Sequence, residues 1–575
     1  MANKNIVSKS YPHNVKSFTE HLKKCLKYIS EPLQVLFETF KKGDIGGIPR
    51  NNALGLFDEW AHRSLLPKPN ETCEFVKSVF SDKMGTEVVG SVEKIYKELE
   101  EKLPFESKAI GDFVDKAIAS IRMGKNISDA IYENVWILYD SAVKNFLYQT
   151  AHIIVGRILL YRVGVDKGVF EPVSSSTFDK PHLELYHTIR KNYENLIPEV
   201  YALSEFDWWY IPDIHKGALS NSEKVLLDNI ESDIDKALEG IFNILNAYDF
   251  SYVDRDVWKE VYLEYLSEDE RRRLGFVPTP DEIVELILDL IGYEEDSAGL
   301  CEKKLLDPAC GSGTFLVEAV RRLRAHLERP MPCHSELHDK RKPEWERKKE
   351  ILDKITKSIY GVDIHPFATF LTTLNIIFQL LDLYMDVKRY HPYYNISLEI
   401  VTHDALMKGV EEAQTRLDEH FNARFKEALR RKEKYLQVIE TKFDYVVGNP
   451  PWGGVLRGKL GPLSDSRKRE EYRKRYSSAT GKFDIYVLFM ERGLEWLKEG
   501  GTLGMITQIT YLDSEFGRGI REYILNNATV MYLIDLSEFG DIIFPGFTNY
   551  PAITIMRKSK SSDGKVIRIK VSKGD

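Results

Sequence analysis

Apolar positions in the first part of the chain recur at three- and four-residue steps. Leu22, Leu26, Ile29, Leu33 and Leu36 fall on one helical face. Trp136, Leu138, Val143, Phe146, Leu147, Ile153, Ile154 and Leu160 make a second dense apolar region. Its greasiest stretch, Ile153–Val163, is broken by Arg157 and Arg162, so it reads as a core helix. Loops are expected at 43–47 and around Pro67 and Pro69. From about residue 300 the period changes. Short β-type runs at Lys304–Leu306, Ile359–Val362, Leu398–Val401, Phe443–Val447, Thr502–Thr507, Val530–Leu536 and Ala552–Met556 alternate with helical stretches. That alternation predicts an α/β layer on a largely parallel sheet, preceded by a mainly helical domain. Charged inserts near Glu328–Lys357 and Glu411–Lys442 read as solvated helices. The expected division is 1–245 helical, 246–560 α/β and 561–575 a tail.

Composition narrows the class. A chain of 575 residues is too long for one ordinary core. Its 43% hydrophobic, 11% aromatic and 29% charged residues are globular in kind. A net charge of −8 excludes a uniformly basic nucleic-acid binder but leaves room for a local basic groove. The five cysteines include no CxxC pair, which argues against a disulfide framework or zinc cage and suits a reducing cytoplasm. No metal site is expected. The opening residues lack the apolar core of a signal peptide, and no membrane association is expected.

Chemistry enters at Lys303–Leu316. A short apolar strand ends at Asp307, Gly311 and Gly313 allow a tight turn, and a helix follows with Phe315 and Leu316 on its inner side. The loop lacks the Gly-Lys-Ser/Thr ending of a phosphate loop and the third glycine of GxGxxG. A plain structural strand–turn–helix is the competing reading. Asp363 closes the next strand, where a carboxylate can accept both hydroxyls of a ribose. Asp404 ends another strand, and taken alone it reads first as an ordinary helix N-cap.

The decisive segment is Phe443–Trp452, a buried strand running into Asn449-Pro450-Pro451-Trp452. An exocyclic aromatic amine is a poor nucleophile because its lone pair is delocalised. Two acceptors on its N–H groups let the nitrogen become tetrahedral. The Asn449 side-chain oxygen and the Pro450 carbonyl supply them, and the prolines hold the backbone ready without competing donors. Trp452 offers a face on which a base can stack. No general base is needed, since the product ammonium is strongly acidic.

The strings DPACGSGTF and NPPW, in that order, resemble S-adenosylmethionine-dependent N6-adenine DNA methyltransferases of restriction–modification systems, of the gamma type. The resemblance covers about residues 250–557 and implies a Rossmann-like methyltransferase sheet. The implied cofactor residues are Thr279, Pro280, Asp307, Ala309, Gly311, Gly313, Phe315, Asp363, Ile364, Asp404, Ala405 and Asn449. Arg273–Val284 is similar to the segment covering the methionine end of the cofactor, with Val277 where an aromatic is often found. Lys482–Phe489 resembles the helix lining the cofactor-adenine pocket. Phe544, and after it Phe547, matches the late-loop aromatic that stacks on a flipped base.

Between Arg457 and Lys482 nine Lys/Arg, among them Lys459, face three Asp/Glu. Such a loop could hold phosphates beside the base, or be a solvated charged helix. Double-stranded DNA is the implied partner, with a specificity or restriction subunit beside it. The helical part resembles, in general character, type I modification subunits and fused type IIG enzymes, most closely over Ala151–Arg162. No PD...ExK nuclease core is evident, and little chain follows the last expected strand. A recognition region is therefore expected elsewhere, with the tail as its start. Modification of cytosine N4, RNA or a protein glutamine amide, and a non-catalytic methyltransferase-like subunit of a defence complex, are the alternatives.

Overall fold

The computed structural model describes residues 5–6, 12–42, 57, 69–83, 88–103, 105, 107–173, 180–201, 206–210, 217, 219–251, 279–331, 337, 339–408, 434–452, 466–544, 550–559 and 567–571. The chain forms two compact units, one of residues 21–159 and 173–247, the other of residues 1–20, 160–172 and 248–575.

Among its described residues the first unit is helical. It draws on α1 (Pro12–Lys42), α2 (Pro69–Lys83), α3 (Val88–Lys102), α4 (Ser107–Arg122), α5 (Ile127–Leu138), α6 (Asp140–Asp166), α7 (Pro181–Tyr193) and α8 (Asn221–Leu245). The apolar stripe of α1 is buried as its spacing requires: Leu22, Leu26, Ile29, Leu33 and Leu36 are at most 4% exposed. Ser220 and Glu223 close a reciprocal capping box at the start of α8. Arg157, which breaks the apolar run of α6, is fully buried and fully used. Its guanidinium donates to the carbonyls of Val200 and Tyr201, to the Tyr186 hydroxyl and to Asp207.

The second unit is built on an eight-stranded sheet. Its strands are β1 (Leu305–Asp307), β2 (Ile359–Asp363), β3 (Glu399–Thr402), β4 (Phe443–Gly448), β5 (Leu497–Gln508), β6 (Ala528–Asp535), β7 (Pro551–Lys558) and β8 (Ile567–Lys570), in the order β8-β6-β7-β5-β4-β1-β2-β3. Every pairing is parallel except those of β7, which runs antiparallel to both β5 and β6. All seven expected strands are present. The eighth, β8, adds an edge strand inside the segment expected to be a tail; the alternation Ile567, Ile569, Val571 was its signal.

The helices of this unit include α9 (Asp281–Leu290), α10 (Thr314–Glu328), α11 (Glu344–Ser358), α12 (Pro366–Tyr390), α13 (Ser466–Arg475), α14 (Ile485–Trp496) and α15 (Arg518–Asn527). Helix α12, rather than Ile153–Val163, is the one long and apolar enough for a membrane span among the described residues. Its apolar window is 94% buried, so it is a core helix of the sheet unit. The first charged insert is helical over α11; most of the second, 409–433, lies outside the described residues.

Candidate active site at the carboxyl ends of β1, β2 and β4

Strand β1 ends at Asp307, 1% exposed, whose carboxyl accepts the Ala309 N–H at 3.0 Å. Gly311 and Gly313 take φ of 56° and 94°, in the left-handed region that favours glycine. A Cβ on Gly313 would lie 3.0 Å from Thr372 of α12. Helix α12 holds the loop: Thr372 donates to the Gly311 carbonyl at 2.8 Å, and Asn375 to the Ser312 carbonyl at 2.9 Å. Phe315 is 3% exposed on α10, while Ala309 is half-exposed at the loop mouth.

Asp363, at the end of β2, is half-buried. Its two oxygens accept the N–H groups of Gly311 at 2.9 Å and His365 at 2.8 Å. A carboxylate carries about four lone-pair sites, so the two hydrogen bonds fix it without exhausting it. Burial raises its pKa to about 6, against the two N–H groups that lower it. Burial pushes Asp307 further, to about 8, with Asp363 adding to the rise. The glycine cradle and a fixed acceptor suit a ligand with vicinal hydroxyls, such as a ribose. Ile364 lies half-exposed beside it.

Asp404 follows β3. One oxygen accepts the Leu406 N–H at 3.0 Å, as a local cap, and the other accepts the Tyr472 hydroxyl at 3.3 Å. Ala405 is 3% exposed. Tyr435 stacks on His403 with centroids 3.5 Å apart and donates to the Met407 carbonyl at 2.8 Å. Tyr435 and Tyr472 come from distant segments, and sequence spacing gave no sign of either.

Strand β4 delivers the tetrad. The Asn449 amide nitrogen donates to the Thr279 hydroxyl at 3.1 Å, which sets the amide plane and hence the direction of its acceptor oxygen. Thr279 is 7% exposed in front of α9, with Pro280 as that helix's cap. Expected at the cofactor, Thr279 also anchors the amide. Pro450 is buried and Pro451 half-buried. Trp452, 2% exposed, packs edge-to-face on Phe544 with centroids 4.9 Å apart. The two aromatics expected at a base thus meet each other. Before the tetrad, a Cβ on Gly448 would lie 2.8 Å from Asp307 Oδ1, so β4 and β1 approach too closely for a side chain.

Arg457, Lys459 and Phe547 lie outside the described residues, as does 273–278. Lys482 is exposed. On α13, Arg473 pairs with Glu470 and Arg475 with Glu471, so part of the expected positive charge is neutralised within the helix. Among the described residues no group of three or more His, Cys, Asp or Glu is placed to hold a metal.

Residues 357–542 match the family model for the Eco57I restriction-modification methylase. The match takes in Asp363, Asp404 and Asn449 but neither the glycine loop nor Phe544. The chain is 32% identical over 302 residues to the type II methyltransferase M.BstVI of Geobacillus stearothermophilus, covering 52% of this chain and 44% of that protein. It is 27% identical over 327 residues to the adenine-specific methyltransferase PglX of Streptomyces coelicolor, covering 52% of this chain and 24% of that one. The DNA-bound ATP-dependent Type ISP restriction-modification enzyme LlaBIII is a structural neighbour at TM-score 0.43 and 16% identity, over 87% of this chain and 29% of that chain. The chain spans less than half the length of each of these proteins.

Proposed function

We propose that the chain transfers a methyl group from S-adenosylmethionine to N6 of an adenine turned out of duplex DNA, as the modification step of a restriction–modification or related phage-defence system. The observation that carries this is the Asn449 amide, anchored on Thr279 and followed by two prolines, at the end of the strand beside the glycine loop.

S-adenosylmethionine, when bound, supplies a sulfonium methyl that an amine lone pair can take, the electrons of the broken C–S bond staying on sulfur. Asp363 accepts ribose hydroxyls, the backbone around Ala309, Gly311 and Gly313 leaves room for the ligand, and Ile364, Asp404 and Ala405 border its base. The Asn449 oxygen and Pro450 carbonyl accept the two hydrogens of the target amine, drawing its lone pair out of the ring. The proton passes to water after transfer. Trp452 and Phe544 hold the turned-out base, which requires the two rings to part from their present contact. Arg457, Lys459, Lys482 and α13 grip phosphates nearby. Phe547 has the second place after Phe544 for stacking. A specificity or restriction subunit is the partner this reading expects beside the DNA.

Radiolabelled S-adenosylmethionine incubated with varied duplex DNA tests the reading. Label is expected in adenine, with Asn449→Ala losing transfer but keeping cofactor binding. No incorporation with any partner added would leave the non-catalytic binding role.

A further inference from the structure

The face of the sheet that carries Asn449 also carries a buried amide that none of the roles above uses. A Cβ on Gly504 of β5 would lie 2.8 Å from Ile287 and Ile291, so Gly504 faces α9. Alternation along the strand puts Ile506 and Gln508 on that same face. A Cβ on Gly493 of α14 would instead meet Leu503, Met505 and Val446, which places those three on the opposite face. On β4, therefore, Tyr445 and Val447 face α9, and Tyr445 meets Tyr293 just beyond α9 with centroids 5.5 Å apart. Asn449 continues that alternation, and its bond to Thr279 agrees.

Gly448 pairs with Met505, so Asn449 is level with Ile506 and Gln508 stands two residues, roughly 7 Å, further along the neighbouring strand, level with Pro451 of the tetrad. It is still extended (φ −75°, ψ 139°) and still paired with Pro551. Its side chain belongs to a residue 6% exposed, and its Nε2 has no hydrogen-bond partner among the described residues. Burying an amide donor without an acceptor is costly, so an acceptor supplied by a ligand would relieve that cost. The ligand is identified by position. Asp363 and the glycine loop lie on β2 and β1, on the far side of β4 from Gln508. With strands about 4.8 Å apart, Gln508 stands roughly 14 Å across the sheet from β2, on the side of the accepting amine.

We infer that Gln508 is a specificity-determining contact for the target base, its Nε2 donating to the ring nitrogen on the Watson–Crick edge beside the amino group. This rests on the methyltransferase reading. N1 of adenine is an acceptor at that place, so the donor fits adenine, whereas guanine presents an N–H there and is opposed. The contact orients the amine toward Asn449 and Pro450 and takes no part in bond making.

The test uses the whole chain and a duplex carrying its own methylation motif, found by sequencing DNA that it has modified. The target adenine is compared with 1-deazaadenine, which keeps the amine and lacks the ring acceptor. Wild type is expected to lose about ten-fold in kcat/KM on the analogue. Gln508→Leu is expected to lose a similar factor on adenine and to show no further loss on 1-deazaadenine. Its affinity for S-adenosylhomocysteine should be unchanged. Gln508→Met, closer in shape, serves the same comparison if the leucine variant fails to fold. A full analogue penalty retained in either variant, or no penalty in wild type, overturns the inference while leaving the methyltransferase reading intact. Failure of wild type to methylate adenine overturns both.

Discussion

Thr279 and Asp363 are the residues at which the site can be tested most sharply. Thr279 holds the Asn449 amide through one hydrogen bond at 3.1 Å. Such a bond contributes about 1 kcal/mol, so Thr279→Val should slow methyl transfer by about five- to ten-fold in single-turnover assays. An equal loss of S-adenosylhomocysteine affinity would return Thr279 to the cofactor role that its sequence context implied. Asp363 has a pKa raised from 3.8 to about 6. A carboxyl raised in the folded state favours folding fully below its unfolded value, and that contribution is lost as pH rises through about 6. Ribose hydroxyls donate to the charged form and lower the value again. Ligand binding should therefore release protons and tighten between about pH 4 and 6. Calorimetry with S-adenosylhomocysteine in two buffers of different ionisation heat would read this; no proton release across that window would count against Asp363 as the ribose acceptor.

The glycine loop is an element held by another element. Its sequence announced a tight turn, but not that α12 would grip it through Thr372 and Asn375, about 60 residues away. Hydrogen bonds of that separation leave no periodic trace. Gly313→Ala combines a positive φ with a Cβ 3.0 Å from Thr372. It should cost about 2–3 kcal/mol and weaken cofactor binding in the same measurement. Gly124→Ala, also at positive φ but with nothing within 4 Å, is the control and should cost only about 1 kcal/mol, with binding unchanged. Equal destabilisation by both would mean that crowding against α12 is irrelevant. The strands were legible for the opposite reason. Each is a run of β-formers between turn residues, and β1, β2 and β7 are buried on both faces over nearly their whole length. Strand β8 was missed because its alternation is brief and its partner, β6, is more than 30 residues away.

On the scale of the molecule, each unit has its own core, and the two should respond to different perturbations. Arg157 lies in the core of the helical unit, bonded to Asp207 at 2.6 Å. Arg157→Ala would leave Asp207 with Arg190 alone as counter-charge and the Val200 and Tyr201 carbonyls without their donor, at a cost of about 3 kcal/mol. Scanning calorimetry should show this variant lowering one transition, while S-adenosylhomocysteine raises the other. Both treatments moving a single shared transition would show that the units unfold together. Arg157 was visible in the sequence only as an interruption of an apolar run. Its four partners, all between residues 186 and 207, explain why the interruption is tolerated.

The sequence by itself determined the chemistry on offer and the order in which it is strung. Local pattern sets strand and helix type. The strings DPACGSGTF and NPPW each need only their own strand and turn to be recognisable. The tertiary structure decided which of these groups meet and what each is left to do. Thr279 reaches Asn449 across 170 positions, Tyr472 closes on Asp404 across 68, and the two expected base-stacking rings pack on each other. Two of the nine residues of the basic run, Arg473 and Arg475, are answered by glutamates of their own helix. A buried amide such as Gln508 acquires meaning only when the sheet sets it beside the tetrad. Contacts of that kind depend on strand order and on which face of the sheet a residue occupies. One-dimensional spacing carries neither.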